Sequence, residues 1–137
     1  MRWKRVEVVR RAWRTIGWLL VGLVIVESLI PGPIEVPIEQ GDKLAHVAAY
    51  ATLMFWFAQD GRRERRMLYA IAFGAMGVAL EFAQRFTGYR TYDVADMLAD
   101  AVGVAIAWAI SPPRGPEIIP RLERLFLSFG RQPPERS

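Results

Sequence analysis

The chain contains no cysteine. Disulfides, thiolate metal sites, iron–sulfur clusters and a cysteine nucleophile are thereby excluded, and the redox character of the compartment leaves no mark on the residues. Histidine is scarce as well, His46 being the single instance. The four serines, at positions 28, 111, 128 and 137, lie apart from the acidic residues discussed below, so none offers itself as a nucleophile. There is no internal repeat and no low-complexity tract. A net charge of +4 and a pI near 10 would suit a nucleic-acid binder, but that reading requires Lys and Arg spread over one folded face. Here they fall in blocks between long apolar runs, so nucleic acid is not the expected partner.

What is present is apolar: 53% of the 137 residues are hydrophobic. Four runs carry most of this character, at about 15–30, 44–59, 67–84 and 93–110. Each is near the lower limit of the roughly 20 residues that cross a bilayer as helix. Fifteen of the eighteen Lys and Arg residues stand before the first run, between the second and third, or after the fourth. The two remaining connections hold only Lys43, Arg85 and Arg90. This alternation follows the positive-inside rule, and a soluble all-α domain has no reason to show it. The expected fold is all-α: an integral bundle of four transmembrane helices over residues 1–111 with both termini cytoplasmic, located in the cell membrane. Residues 112–137 then form a cytoplasmic tail with a short basic amphipathic helix, the alternative being an unstructured end. A signal peptide is the competing reading of the first run, but no small-residue cleavage site follows it; SLIPGPIEVP leads out instead. Trp3, Trp13 and Trp18 read as an interfacial aromatic belt.

Helical rise then fixes the depth of the polar residues. Asp42, Lys43 and His46 enter with the second run; Glu81 lies about 21 Å beyond Met67, with Gln84 one turn further, and Asp93, Asp96 and Asp100 open the fourth. All converge on the outer level. Asp42, His46 and Tyr50 share one helical stripe, and Gly74, Gly77, Glu81 and Gln84 another. Asp96, Asp100 and Gly103 lie beside the small residues Ala95, Ala99 and Ala107, a spacing that lets helix backbones approach in lipid. The polar rows should therefore face one another.

The stretches DKLAHVAAY and EFAQRFTGYRTYDVADMLADAVG, in this order on consecutive apolar runs, resemble the VanZ-like family. Its pattern resembles D-K-x-x-H, then E-x-x-Q, then R-x-x-D-x-x-D-x-x-x-N-x-x-G. On this resemblance Asp42, Lys43, His46, Glu81, Gln84, Arg90, Asp93, Asp96 and Gly103 occupy signature positions. Asp100 departs from it, standing where the family usually has Asn. The resemblance implies a small multi-spanning membrane protein, and its name-giving member is associated with low-level resistance to teicoplanin.

An ionisable side chain at the bilayer centre costs roughly 2.5–3.5 kcal/mol on insertion scales, so this many of them require partners or a purpose. Acids outnumber bases, which leaves protonated carboxyls or a bound cation. His46, Glu81, Asp96 and Asp100 are the candidate catalytic residues: His46 beside a carboxylate forms a general acid/base unit. The same four would alternatively ligate a divalent cation such as Mg²⁺, Mn²⁺ or Ca²⁺. Asp42, Lys43, Gln84, Arg90 and Asp93 are candidate binding residues, with Lys43 and Arg90 suited to phosphate. The expected partners are membrane lipids and an anionic lipid or lipid-linked envelope precursor. Binding of an amphiphilic antibiotic without chemistry, proton or ion transport, and simple pairing that fixes helix register are the alternatives. Transport would require polar residues in the inner halves, and MLYAIAFGAM and AVGVAIAWAI are almost wholly apolar.

Overall fold

A computed structural model describes residues 2–31, 41–59, 62–88 and 93–128, with the side chains of residues 2–5 outside the description. Five helices account for nearly all of them: α1 Arg2–Leu29, α2 Gly41–Ala58, α3 Arg63–Thr87, α4 Val94–Ile110 and α5 Ile118–Ser128. Among the described residues there is no strand.

The helix ends follow from local chemistry. Helix α1 begins far upstream of its apolar run because Arg, Lys and Glu are good helix formers, so the first basic block extends the helix. Helix α3 stops at Gly88, whose φ of 78° is the left-handed conformation that terminates a helix without a Cβ penalty. Helix α4 starts at Asp93, whose side chain accepts a hydrogen bond from the Ala95 amide at 2.8 Å, an N-cap that satisfies one of the orphan donors of the first turn. It ends at Ser111, before two prolines that cannot continue it.

Small residues set the packing. A methyl group on Gly103 would collide with the Val47 carbonyl oxygen, so α4 and α2 meet backbone to backbone. One on Gly77 would come within 2.5 Å of Asp100, which places that carboxylate directly against α3. Tyr50, Leu53, Met54 and Ala58 of α2, Phe73 of α3, and Val104 and Ala107 of α4 fill the core, with Val21 contributed by α1.

The bundle has two chemically opposite ends. At the arginine end, Trp13 of α1 and Trp56 of α2 stack at 3.8 Å, and each indole N–H donates to the other's main-chain carbonyl, at 3.0 and 2.9 Å. This reciprocal clamp lets two tryptophans pack as apolar bodies without burying an unpaired donor. Arg66 is buried at the same end, donating at 2.6 Å to the Trp108 carbonyl and lying 5.2 Å from the Trp108 ring, and so binds the start of α3 to the end of α4. Helix α5 docks against α1 through buried Ile119 and the Arg10–Glu123 ion pair at 2.7 Å. The acidic end is described below.

The outside of the bundle is apolar. Trp18, Leu19, Leu23, Leu68, Ile71 and Leu98 are all more than half exposed. Contiguous apolar exteriors on this scale mark contact with lipid or with another protein. Val6–Leu29 and Arg63–Thr87 are long and apolar enough to cross a membrane. Helices α2 and α4 are shorter, 18 and 17 residues, and carry Asp42, Lys43, His46, Asp96 and Asp100.

Candidate functional site

Three helix ends meet at the acidic end: the start of α2, the end of α3 and the start of α4. The approach of α2 to α4 at Gly103 and of α3 to α4 at Gly77 brings His46, Glu81, Asp96 and Asp100 into one cluster. Glu81 and Asp100 are 1% and 2% exposed, and Asp96 is 9% exposed, so three carboxylates are buried together and need partners.

The partners are divided in an orderly way. Lys43 Nζ lies 2.7 Å from Asp96 Oδ1, 2.8 Å from Asp93 Oδ2 and 3.4 Å from Asp42 Oδ2, so its three donors are directed at three acids. Its ammonium therefore ties α2 to the first turn of α4. Glu81 Oε2 accepts the Asp93 backbone N–H at 3.0 Å, joining the end of α3 to the cap of α4. His46 Nδ1 lies 2.8 Å from Asp100 Oδ1, and Tyr50 lies beside the same carboxylate. With Asp100 accepting from Nδ1–H, the ring presents Nε2 on its other side, 3.7 Å from Asp96 Oδ2.

Each of the central acids thus uses one oxygen for a neighbour and leaves the other over. Asp96 gives Oδ1 to Lys43 and turns Oδ2 toward His46. Glu81 gives Oε2 to the Asp93 amide, while its Oε1 is buried with no hydrogen-bond partner. His46, Glu81 and Asp96 each place a ligand-type atom within 4.8 Å of the other two. Atoms sharing one ion at about 2.0–2.2 Å stand at most ~4.4 Å apart, so a contraction of a few tenths of an ångström would let all three reach one cation.

A family model for VanZ/LLP1 matches residues 5–114. The chain belongs to the VanZ/LLP1 family. The VanZ/LLP1 match takes in all four long helices and ends before α5. An uncharacterised protein of the fission yeast Schizosaccharomyces pombe is 29% identical over 93 residues, covering 65% of this chain and 57% of its own length. The chain thus spans less than two thirds of that relative. No solved structure matches.

Of the residues expected from the VanZ-like signature, the structure brings His46, Glu81, Asp96 and Asp100 together, with Lys43 and Asp93 bridging them at the rim. Asp42 is exposed and stays at the rim, 3.4 Å from Lys43 Nζ. Gln84 is buried but turns its amide toward α1, donating at 2.9 Å to the Ser28 carbonyl, and so fastens α3 to α1 instead of entering the cluster. Arg90 lies outside the described residues. The departure at Asp100 has a simple physical reading: the position supplies an acceptor for His46 Nδ1–H, which the amide oxygen of the Asn usual in the family would supply equally.

Sequence reasoning missed three features. Arg66, inside a run of four arginines read as loop charge, is buried; the Trp13–Trp56 clamp joins residues 43 apart; and Gln84 answers to α1. The stripe of small residues that Gln84 continues was the available hint that its face meets another helix.

Proposed function

We propose that this is a multi-pass membrane protein whose acidic end holds a divalent cation and, through it, the phosphate of a lipid or lipid-linked envelope precursor entering from the outer leaflet. On this reading α1–α4 cross the bilayer as one domain over residues 1–111, both termini are cytoplasmic, and residues 112–137 form a tail on the inner face. The distribution of Lys and Arg and the lipid-compatible exterior support the orientation.

One observation carries the site reading: Glu81 is buried with a carboxylate oxygen that has no partner, beside an Asp96 oxygen and a His46 nitrogen that face each other beyond hydrogen-bonding distance. An uncompensated buried carboxylate costs several kcal/mol, and one lysine cannot offset three. A cation between the three would offset it. The Asp100–His46 pair has the form seen behind metal-bound imidazoles, in which the nitrogen away from the ion donates to a carboxylate that fixes the tautomer and ring orientation. A nitrogen and two carboxylate oxygens suit Mn²⁺ or Mg²⁺, and open coordination positions would accept phosphate oxygens. With every serine placed elsewhere, water on the cation is the nucleophile available for any turnover.

Mn²⁺ binding to the purified protein in nanodiscs, read by electron paramagnetic resonance, tests this directly. Wild type should bind with one site per chain, and Glu81→Gln and Asp96→Asn should each lose it. Retention of phosphate-bearing lipid should then fall on addition of chelator. Equal Mn²⁺ binding by all three proteins would overturn the proposal.

A further inference from the structure

The arginine end holds a second, separate cavity of about 330 Å³, enclosed by the first half of α1, the end of α2, the start of α3 and Ile119 of α5. Arg65 is sixteen residues before Glu81 on α3, about 24 Å away along the helix, so this space is remote from the acidic cluster. Its polar lining is cationic: Arg14, Arg62 and Arg65 join Arg10, and all four are exposed. Arg10 is paired with Glu123, whereas Arg14 and Arg62 make no ion pair among the described residues. Apart from Ile119 the rest of the lining is aromatic, with the stacked Trp13 and Trp56 at its wall. Since both indole N–H groups are spent on main-chain carbonyls, that wall offers flat apolar surface and no free donor.

We infer that this cavity is a binding site for the headgroup of an anionic phospholipid. Guanidinium forks match phosphate oxygens in pairs, and arginines converging from two helices can hold a phosphodiester that cannot be neutralised by protonation. The tryptophan faces suit the glycerol region, where amphipathic rings sit at membrane interfaces. Trp18 also lines the cavity and is 65% exposed next to Leu19, 67% exposed, so the opening runs onto an apolar surface that acyl chains can follow. A free phosphate or nucleotide would gain nothing from that surface. Basic pockets between membrane helices on the cytoplasmic side are recognised sites for such headgroups. The inference rests on the membrane-spanning part of the proposed function and is independent of the cation.

The test is native mass spectrometry of the full chain released from nanodiscs of phosphatidylcholine doped with phosphatidylglycerol or cardiolipin, with inorganic phosphate as a separate arm. Wild type should retain the anionic lipids over phosphatidylcholine. Arg14→Gln/Arg62→Gln should weaken retention about thirtyfold, given the typical contribution of each basic residue near an anionic lipid. Arg121→Gln/Arg124→Gln, which removes the same charge from α5, should leave it unchanged, as should chelator. Arg14→Lys/Arg62→Lys, which keeps the charge without the fork, should fall between. Equal losses in the two glutamine variants would reduce the effect to net charge and overturn the site. So would undiminished retention by Arg14→Gln/Arg62→Gln, or displacement of the lipid by inorganic phosphate at its own low concentration.

Discussion

The two ends of this bundle are assembled from the same helices by opposite means. At the acidic end, charge is buried and shared: Lys43 spans three aspartates, His46 is held by Asp100, and a Glu81 oxygen is left with no partner. At the arginine end most charge stays at the surface, and the joints are indole stacking, indole N–H to carbonyl bonds and a single buried guanidinium. The clamp at the arginine end is satisfied, each indole N–H having an acceptor, whereas Arg66 Nε and Gln59 Nε2 at that end are buried without a hydrogen-bond partner. At the acidic end the unpartnered atom is a carboxylate oxygen, Glu81 Oε1, inside a cluster of acids, and a polar cluster that is only partly satisfied costs more than an apolar core of the same volume. A cation reaching His46, Glu81 and Asp96 would complete that cluster, and this is the ground of the proposed function.

The largest effect should come from the contact that makes the acidic end possible. In Gly103→Val the added side chain meets the Val47 carbonyl and the Ala51 amide nitrogen, both main-chain atoms that cannot rotate away. Helices α2 and α4 must separate, and the loss of stability should be about 3 kcal/mol or more, at the upper end for overpacking. The comparison sharpens if the damage is confined. Near-ultraviolet circular dichroism should keep the signal of the stacked Trp13–Trp56 pair while Mn²⁺ binding disappears; loss of both together would mean that the two ends are one cooperative unit.

A smaller effect separates the ligands from the residue that orients them. Asp100 touches His46 and not the proposed ion position, so Asp100→Ala should weaken Mn²⁺ binding by about 10- to 100-fold, the usual consequence of removing a carboxylate behind a ligating imidazole. Asp100→Asn keeps an oxygen for Nδ1–H and should stay within a few-fold of wild type. Titration by electron paramagnetic resonance distinguishes the two. If Asn is as damaging as Ala, the charge of Asp100 matters and its role as a simple acceptor is wrong.

Why the acidic end was legible in the sequence and the arginine end was not follows from the same contrast. A polar residue within an apolar run has a depth set by the rise of the helix, so Asp42, His46, Glu81, Asp96 and Asp100 could be assigned a common level before any contact was known. Gly103 and Gly77 likewise announced close approach through the spacing of small residues. Nothing comparable marks Arg66 among Arg62, Arg63 and Arg65, since all four are compatible with an exposed first turn and only the position of Trp108 on another helix selects one of them. The tryptophan clamp is invisible for a related reason: Trp13 has the composition of a belt residue, and its partner is 43 positions away. Gln84 fell between the cases. It stands one turn beyond Glu81 on α3, but its direction depends on α1 presenting the Ser28 carbonyl, a main-chain group that carries no signature in the residues.

The smallest expected effect probes whether the arginine end is held by charge at all. Arg10 and Glu123 form the shortest ion pair there, yet their side chains are 53% and 15% exposed, so water and salt screen the attraction. Glu123→Gln should cost only about 0.2–1 kcal/mol, with little further change in high salt. Helix α5 should remain docked, because Ile119 is 6% exposed and the Ile118 amide still donates to Gln59 Oε1 at 2.8 Å. Limited tryptic cleavage after Arg121 and Arg124 reports docking directly, and its rate should match wild type. A marked acceleration would show that α5 is fastened by charge after all, and the arginine end would then share the principle of construction reserved here for the acidic one.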